Sequence, residues 1–284
     1  MHDLIPRVYP GHYHSDPGLR RRYLAREELV RAAERLLSVS EATRREAIEQ
    51  LGVDPGRVRV IGAGISPSFR RPSSAADAFA QARRAVPGLE SGFLLYVGGE
   101  DHRKNVQGLL EAYARLTPEL RRGHQLVVAC RVSDGFRQRL ADQARALGIG
   151  DRLLLTGLVD DPALVALYQA TELFVFPSRY EGYGLPVAEA LACGAKVVAA
   201  GTSATVELAP AAGMFDPEDP NDIARAITAG LADPATRMQL LEAAGAPAPS
   251  WEQAAVRAAA VYEELLAGDG PAGRRRGRRA LRIG

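Results

Sequence analysis

Short apolar runs alternate with amphipathic segments from residue 93 onward. Helical apolar spacing recurs near residues 106–116, 136–147, 162–170 and 185–193. The runs between them have the length of buried strands: FLLYVGG, QLVVAC, RLLLTG, LFVFPS and KVVAA. Short apolar strands separated by amphipathic helices predict a parallel, doubly wound α/β sheet of the Rossmann-like kind. Ligands of such sheets bind at the carboxyl ends of the strands, so the loops there are the first candidates for a site.

The first part of the chain has a different order of elements. Residues 2–17 are rich in Pro, Gly and His and are predicted to form a loop. Helical spacing follows over residues 19–37, and strands are predicted in RLLSVS and RVRVIG. Between those strands, Ser40 is the predicted N-cap of a helix over residues 41–51. An α/β domain rarely opens without a strand, so this region is interpreted as the second half of a domain.

Two further segments complete the predicted organisation. Prolines and serines accumulate where the periodicity weakens, which predicts an interdomain linker. Near the other end, Ser250 and Gln253 have the spacing of a capping box at the start of a helix. The predicted segments are a partial N-terminal α/β domain (1–75), a linker (76–92), a sheet domain (93–249), a C-terminal helix (250–268) and a disordered Arg-rich tail (269–284).

The composition is that of a soluble globular protein, with 46% apolar and 25% charged residues. No apolar run approaches membrane-spanning length and no secretion signal is recognisable, so a cytoplasmic protein is expected. The formal charge of +2 becomes −4 without the six arginines of RRRGRRALRIG, which argues against nucleic acid as the partner. The arginine tail either contacts anionic lipid at the inner face of a membrane or is solvated, and the residues leave both open.

One loop and the helix after it carry the clearest chemical signal, in the segment EGYGLPVAEALACG that begins at Glu181. Gly182 and Gly184 allow positive φ and a close approach of the backbone to a ligand. Pro186 suits the first turn of a helix. Because a helix N-terminus offers unpaired N–H groups and a positive partial charge, strand, glycine turn and helix together predict a bound phosphate.

A lysine and an arginine in a neighbouring loop are candidates for the same phosphate. The chain contains 34 arginines and only two lysines, Lys104 and Lys196. Lys104 follows the first predicted strand of the sheet in GGEDHRKN, at the start of a predicted helix, where its charge opposes the helix dipole. We therefore predict that Lys104 binds phosphate with Arg103 as a second donor, the alternative being a solvated lysine.

Two glutamates, Glu181 and Glu189, flank the glycine turn. Glu189 lies about 6 Å along the predicted helix axis from Leu185, so the two carboxylates are spaced to hold a hexose and a ribose rather than to act as a glycosidase pair. Two glutamates that merely stabilise a helix start are the alternative. His12 and His14 lack further ligands nearby in the sequence, so no metal site is predicted.

With these residues in place, the chain resembles the retaining, nucleotide-sugar-dependent glycosyltransferases of the GT-B fold, often called the group 1 family, and is most similar to bacterial mannosyltransferase-like members. The resemblance extends to about Leu266 and rests on PSRYEGYGLPVAEALACG. Supporting stretches are HDLIP, LSVSEATR, LLYVGGEDHRKN, LLLTGLVDD, TVELA, MFDPED and SWEQAA. The resemblance implies a GT-B fold, with a C-terminal Rossmann-like domain and an incomplete N-terminal α/β domain.

The resemblance also implies roles for individual residues. Glu181 would contact the donor sugar and Glu189 the nucleotide ribose, while Lys104 and Arg103 would bind the diphosphate. His2, which precedes the aspartate of the HD motif, would reach the sugar from the other domain. The implied donor-binding set is completed by Gly182, Tyr183, Gly184, Leu185, Pro186, Val187 and Val159.

Two departures from the family pattern qualify these expectations. Relatives often carry an arginine five or six residues before the lysine, where this chain has Gly98 and Gly99, so Arg103 or Arg131 is expected to neutralise the phosphate. The family's first domain opens with a strand, a glycine loop and several further units before the HD motif, whereas His2 is the second residue here. Most of the acceptor-side domain is therefore expected to be missing.

The predicted activity is transfer of a hexose, with GDP-mannose as the first candidate donor, to an acceptor hydroxyl with retention. A saccharide or a lipid-linked acceptor in cell envelope polysaccharide biosynthesis is expected, with no cofactor and no metal. Two alternatives stay open. The chain could bind nucleotide sugar without transfer, or it could be a sugar phosphorylase or epimerase on the same fold. A phosphorylase would usually need a pyridoxal phosphate lysine, and Lys196 stands at a predicted strand start.

Overall fold

The computed structural model describes residues 1–245 and 247–268, which form two α/β units, each built on a parallel sheet. The N-terminal unit has two strands, Leu36–Ser38 (β1) and Val58–Val60 (β2). The second unit has six strands: Leu94–Gly99 (β3), Leu126–Arg131 (β4), Leu153–Leu155 (β5), Leu173–Phe176 (β6), Val197–Ala200 (β7) and Met214–Phe215 (β8). Their order is β5-β4-β3-β6-β7-β8, with every pair parallel. The predicted parallel α/β sheet is confirmed.

Thirteen α-helices are assigned within the described residues. Those of the N-terminal unit are Ile5–Val8 (α1), Pro10–Tyr13 (α2), Pro17–Ala32 (α3) and Glu41–Leu51 (α4). Those that follow are Ala75–Ala85 (α5), Val106–Ala114 (α6), Pro118–Gly123 (α7), Asp134–Ala146 (α8), Asp161–Ala170 (α9), Leu185–Ala192 (α10), Pro220–Ala232 (α11), Pro234–Ala243 (α12) and Trp251–Gly268 (α13). None of these described helices is long and apolar enough to cross a lipid bilayer.

Helices cover both faces of the six-stranded sheet, which explains why its strands are almost continuously apolar. Leu94 and Tyr96 of β3 belong to the core that the sheet shares with α6, α8 and α11. Leu95, on the opposite side of the same strand, belongs to the core shared with α5, α9 and α10. Because the side chains of a strand alternate between its faces, both faces of β3 are buried against helices. This double burial holds the strand ends, and the loops that follow them, in fixed positions.

The predicted linker, residues 76–92, differs from the structure because it contains most of α5. Ser74 caps this helix by accepting a hydrogen bond from the amide of Asp77. Ala82 and Val86 are buried in the same core as Leu167 of α9. The helix was not predicted because the flanking prolines and serines favour a loop, although its alanines have helical spacing. The helices of the second unit therefore begin at α5 rather than after residue 92.

The predicted loop over residues 2–17 also differs, since it contains α1 and α2. Pro6 and Pro10 stand in the first turns of these helices, where proline has no hydrogen bond to lose. The prolines interpreted as loop signals therefore open two short helices. The next helix, predicted over residues 19–37, spans Pro17–Ala32.

The predicted C-terminal helix is confirmed as α13, and it returns to the N-terminal unit. The hydroxyl of Ser250 accepts a hydrogen bond from the amide of Gln253 at 3.1 Å, which caps the helix. Arg257 donates to the carbonyl of Ile61 at 3.3 Å. At Gly64 an added Cβ would overlap the backbone of Trp251, so only glycine permits this close approach. The start of α13 is thereby fixed beside the end of β2.

Candidate active site

The loop between Glu181 and Gly184 lies beyond the carboxyl end of β6 and faces the N-terminal unit. An added Cβ at Gly182 would overlap the carbonyl oxygen of His2, so the glycine permits direct contact between the two backbones. Gly184 has a φ of 100° and is the N-cap of α10. That conformation is strained for any residue with a side chain. The two glycines are therefore required for different reasons, one for close approach and the other for the turn.

Two hydroxyl groups of the N-terminal unit clamp the same loop. The Ser40 Oγ lies 2.6 Å and the Thr43 Oγ1 3.1 Å from the carbonyl oxygen of Gly182. Ser40 is also the N-cap of α4, as the sequence predicts, and accepts from the amide of Thr43. The carboxylate of Glu207 accepts from the amides of Glu41 and Ala42 at 3.1 and 2.7 Å. Its negative charge offsets the positive partial charge of the helix dipole at the first turn of α4. This clamp holds the glycine loop against the N-terminal unit.

Glu181 is buried, and both of its carboxylate oxygens are bound. Its Oε1 lies 2.5 Å from Lys104 Nζ and 2.6 Å from the Ser178 hydroxyl, which donates to it. Its Oε2 lies 2.9 Å from Nη1 of Arg103. Lys104 Nζ is also 5.3 Å from the centroid of the Phe176 ring, a cation–π distance. Two cations therefore share one buried carboxylate.

The loop after β3 orients both cations through a short 3₁₀ turn, His102–Lys104. Asp101 caps this turn by accepting from the amide of Arg103 at 3.0 Å, and its carboxylate lies 3.5 Å from the Arg103 side chain. The hydroxyl of Tyr13, in α2, donates to the same carboxylate. Asn105 follows with a φ of 53°, and its side-chain amide nitrogen, Nδ2, donates to the carbonyl of Pro217 at 2.7 Å. The N-terminal segment thus helps to position a residue predicted to bind phosphate.

A cavity of about 590 Å³ opens beside the glycine loop, within the size range of ligand pockets. Its wall includes the polar residues Lys104, Glu181 and His2. Apolar residues from both units also line it: Met1, Leu37, Val39, Ile61, Ala63, Trp251, Ala254, Ala255 and Ala258. The structure therefore brings His2 and Lys104 together with six residues predicted from the glycine loop and its helix: Glu181, Gly182, Tyr183, Gly184, Leu185 and Pro186.

Val187, which is predicted to contact the donor, is not among the residues that line this cavity. Its side chain is fully buried in the sheet core, because its position in α10 faces the sheet rather than the cleft. Its amide already donates to the carbonyl of Gly184 at 2.9 Å. Since Pro186 has no N–H, Leu185 carries the amide at the first position of the helix.

Glu189 and Val159, also predicted to bind the donor, lie away from this cavity. The hydroxyl of Tyr168 donates to Oε2 of Glu189 at 3.0 Å. Burial raises the pKa of the Glu189 carboxyl above its ordinary value. Val159 lines a separate depression with Leu158 and Asp160. Within residues 1–245 and 247–268, no group of three His, Cys, Asp or Glu side chains is placed to hold a metal ion.

Several residues of the site have no signal in the sequence. Ser178 and Tyr13 are ordinary polar residues of a strand end and a short helix, and Glu207 belongs to a 3₁₀ turn. Tyr13 and Glu207 contact partners that are remote in the chain, and the Ser178 hydroxyl lies 3.2 Å from the carbonyl oxygen of Arg103 in another loop. The signal that could have drawn attention to Ser178 is its position directly after a buried strand, where ligand-facing residues of parallel sheets lie.

Comparisons with known proteins agree with this architecture. Residues 80–246 match the family model described as Glycosyl transferases group 1, and residues 1–69 match that of Glycosyltransferase Family 4. Sucrose-phosphate synthase from Thermosynechococcus elongatus superposes with a TM-score of 0.72 at 28% identity, covering 88% of this chain and 62% of that one. Anabaena HepE in complex with UDP-glucose gives 0.75 at 18% identity, covering 94% and 71%. The fold is of the GT-B type.

Curated relatives are similar along most of the chain. The serotype-specific mannosyltransferase WbdA of Escherichia coli is 31% identical over 269 residues, which are 93% of this chain and 33% of WbdA. O-antigen chain mannosyltransferase B of Escherichia coli is 30% identical over 275 residues, which are 93% of this chain and 69% of that protein. The chain therefore spans about a third of the length of WbdA. It belongs to the group 1 glycosyl transferase family.

Proposed function

We propose that this chain transfers a hexose from a nucleoside diphosphate sugar to an acceptor hydroxyl with retention of configuration. The observation that carries the proposal is the contact of Glu181, which lines the cavity, with both Lys104 and Arg103. A carboxylate suited to sugar hydroxyls and two cations suited to a diphosphate are thereby joined in one site. The mannosyltransferase relatives support mannose as the sugar and GDP-mannose as the first donor to test.

The departure of the diphosphate is the step in which negative charge develops, and this site is arranged to stabilise it. Lys104, Arg103 and the amide of Leu185 at the start of α10 would hold the phosphate oxygens, without a metal. The bond from the sugar to the diphosphate breaks, the acceptor oxygen forms the new bond, and its proton leaves with the diphosphate. Groups that bind the departing charge more strongly than the ground state accelerate this step.

Glu181 would contact the sugar once the diphosphate takes over its cations. Its carboxylate would then accept from a sugar hydroxyl and stabilise the positive charge that develops at the ring. His2 lines the same cavity and would face the sugar from the N-terminal unit. Glu189 would hold the ribose at the far side of α10.

The acceptor is proposed to be a saccharide or a lipid-linked saccharide of the cell envelope, handled in the cytoplasm or at the inner face of the membrane. The arginine tail, residues 274–284, lies outside the described residues, and its six arginines support contact with anionic lipid. Deletion of residues 274–284 should abolish co-sedimentation with vesicles that contain phosphatidylglycerol. Unchanged co-sedimentation of the shortened chain would show that residues 274–284 are not needed for contact with anionic lipid.

Incubation of the full chain with GDP-mannose, UDP-glucose and ADP-glucose tests the proposed reaction. Release of the nucleoside diphosphate is measured with and without simple sugar acceptors, and the anomeric form of the first product is read by proton NMR. The proposal expects turnover of at least one donor, with the donor's anomeric configuration preserved. Nucleotide binding without turnover would instead favour a protein that binds nucleotide sugars only, and an inverted product would contradict retention.

A further inference from the structure

Ser178 is completely buried at the point where two loops of the site meet. It follows the end of β6, and its hydroxyl donates to Oε1 of Glu181 at 2.6 Å. The same hydroxyl lies 3.2 Å from the carbonyl oxygen of Arg103 and 3.4 Å from that of Tyr180. Because a hydroxyl carries a single proton, Ser178 can donate to only one of these acceptors at a time.

The carboxylate of Glu181 is the strongest of the three acceptors. Hydrogen bonds to an ionised oxygen are shorter and stronger than those to a neutral carbonyl, and the carboxylate is also the nearest acceptor. The same Oε1 receives the ammonium of Lys104 at 2.5 Å, while Oε2 lies 2.9 Å from Arg103. Ser178 therefore stabilises the arrangement in which Glu181 is paired with both cations.

The backbone of Glu181 is fixed independently of its side chain. Its amide donates to Oγ of Ser203 at 2.8 Å, and the carbonyl of the next residue, Gly182, accepts from Ser40 at 2.6 Å. Ser203 has a φ of 45°, a conformation that a residue with a side chain keeps only where the surrounding structure imposes it. Separation of Glu181 from the two cations therefore requires rotation of its side chain rather than a shift of the loop.

Ser178 also has a second acceptor available when that rotation occurs. The carbonyl oxygen of Arg103 accepts from the amide of Arg179 at 2.7 Å and keeps a second lone pair for the hydroxyl. The rotation would thus leave no buried donor without an acceptor, which would be costly. What is lost is the difference between a hydrogen bond to a charged oxygen and one to a neutral oxygen.

We propose that Ser178 is a positioning residue that holds Glu181 against Lys104 and Arg103 and thereby limits the affinity for a nucleoside diphosphate. This assignment rests on the proposed transferase site, and it adds a residue that regulates binding there. A diphosphate needs the state in which the cations are free, so its apparent affinity falls with the fraction of molecules in that state. By stabilising the paired state, Ser178 favours release of the diphosphate after transfer.

A calorimetric double-mutant cycle tests this assignment in the full chain. GDP, UDP and inorganic pyrophosphate are titrated into the wild type, Ser178→Ala, Glu181→Gln and the double variant. Ser178→Ala should bind a nucleotide about tenfold more tightly, because one hydrogen bond to a charged group no longer stabilises the paired state. In the Glu181→Gln background the same substitution should change the affinity by less than about twofold, because the neutral amide no longer competes for the cations. The gain should be equal for pyrophosphate if the diphosphate is the part affected.

Ser133→Ala is the matched control, because its hydroxyl donates to Glu100 at 2.7 Å in the loop after the neighbouring strand. That pair lies outside the cavity wall, so the variant should bind nucleotide as the wild type does. Ser178→Cys replaces the hydroxyl by a weaker donor and should also bind more tightly than the wild type, which provides a second variant. Thermal melting checks that each variant is folded.

Unchanged or weaker nucleotide binding in folded Ser178→Ala would overturn the assignment, since a hydroxyl that merely supports the fold predicts one of these results. An equal gain in Ser133→Ala, or the same gain with Glu181 and with Gln at position 181, would also overturn it. Tighter binding in Ser178→Ala without turnover by the wild type would contradict only the transferase proposal. Turnover with unchanged affinity in Ser178→Ala would contradict only this one.

Discussion

The ammonium nitrogen of Lys104 lies 2.5 Å from Oε1 of Glu181, although the two residues stand 77 positions apart in the chain. Arg103 binds the other oxygen of the same carboxylate. Both cations are thus paired with Glu181, and a diphosphate would compete with this carboxylate for them. We therefore expect binding of the phosphate to be coupled to release of Glu181 towards the sugar.

Glu181→Gln should separate nucleotide binding from turnover. Removing the carboxylate frees Lys104 and Arg103, so the affinity for a nucleoside diphosphate should be kept or increased. Turnover of a confirmed donor should fall about 10²-fold, because one charged contact to the sugar, worth roughly 3 kcal/mol, is lost. Calorimetry and a donor-release assay measure the two quantities. Glu100→Gln, at an exposed position beyond β3, is the matched control. Unchanged turnover in Glu181→Gln would exclude the proposed role.

Gly182→Ala should destabilise the protein and disturb the glycine loop. The new methyl group would overlap the carbonyl oxygen of His2, and such overpacking costs about 1–3 kcal/mol. The melting temperature should fall by several degrees in a scanning calorimeter. Gly99→Ala provides the comparison, because an added Cβ there meets no atom within 4 Å. Equal melting temperatures for the two variants would show that the backbone contact between Gly182 and His2 does not exclude a side chain at position 182.

Glu189→Gln should lose affinity for nucleotide without losing stability. Burial raises the pKa of Glu189, so its favourable contribution to folding is complete below the ordinary carboxyl pKa of 4.5 and disappears as the pH rises through the raised value. The ionised Glu189 carboxylate therefore destabilises the fold at neutral pH, and the uncharged side chain of glutamine removes this destabilisation. If Glu189 holds the ribose, affinity should fall by about tenfold or more. Unchanged affinity would show that Glu189 does not hold the ribose. Melting temperatures of the wild type and Glu189→Gln at pH 5 and pH 8 test whether the ionised carboxylate destabilises the fold.

The stacked imidazoles of His12 and His102 should make the N-terminal segment sensitive to acid. Their ring centroids are 4.0 Å apart, and burial, followed by the neighbouring His12, lowers the pKa of His102 below 6.5. A lowered histidine pKa stabilises the fold above 6.5, and this contribution is lost as the pH falls through the folded-state value. Melting temperatures between pH 7.5 and 5.5 should therefore decrease. The decrease should be smaller in His12→Gln than in His14→Gln, and equal slopes would contradict the explanation.

The strands and the meeting of the two predicted loops could be foreseen from the sequence for a physical reason. Strands buried on both faces are apolar along their whole length, which makes them visible as short runs. The carboxyl ends of parallel strands lie on one edge, so the loops with Lys104 and Glu181 had to converge there. The helix α10 was visible from Pro186 and the glycines before it.

The contacts that join the two units could not be foreseen in this way. The bond from Ser40 to Gly182 spans 142 positions, and that from Tyr13 to Asp101 spans 88. Such pairs have no local pattern, because each residue satisfies an ordinary propensity at its own position. The motif also predicts a donor contact for Val187, whose side chain faces the sheet core in the structure.

Calorimetric titration of GDP and UDP into the full chain and into Lys104→Ala measures whether a diphosphate binds at Lys104 and Glu181. Arg139→Ala, on the exposed side of α8, is the control for loss of one positive charge. We expect saturable binding of at least one nucleotide to the wild type and to the control, with affinity reduced about tenfold or more in Lys104→Ala. Absence of binding to the wild type, or equal binding to Lys104→Ala, would contradict a diphosphate site at Lys104 and Glu181.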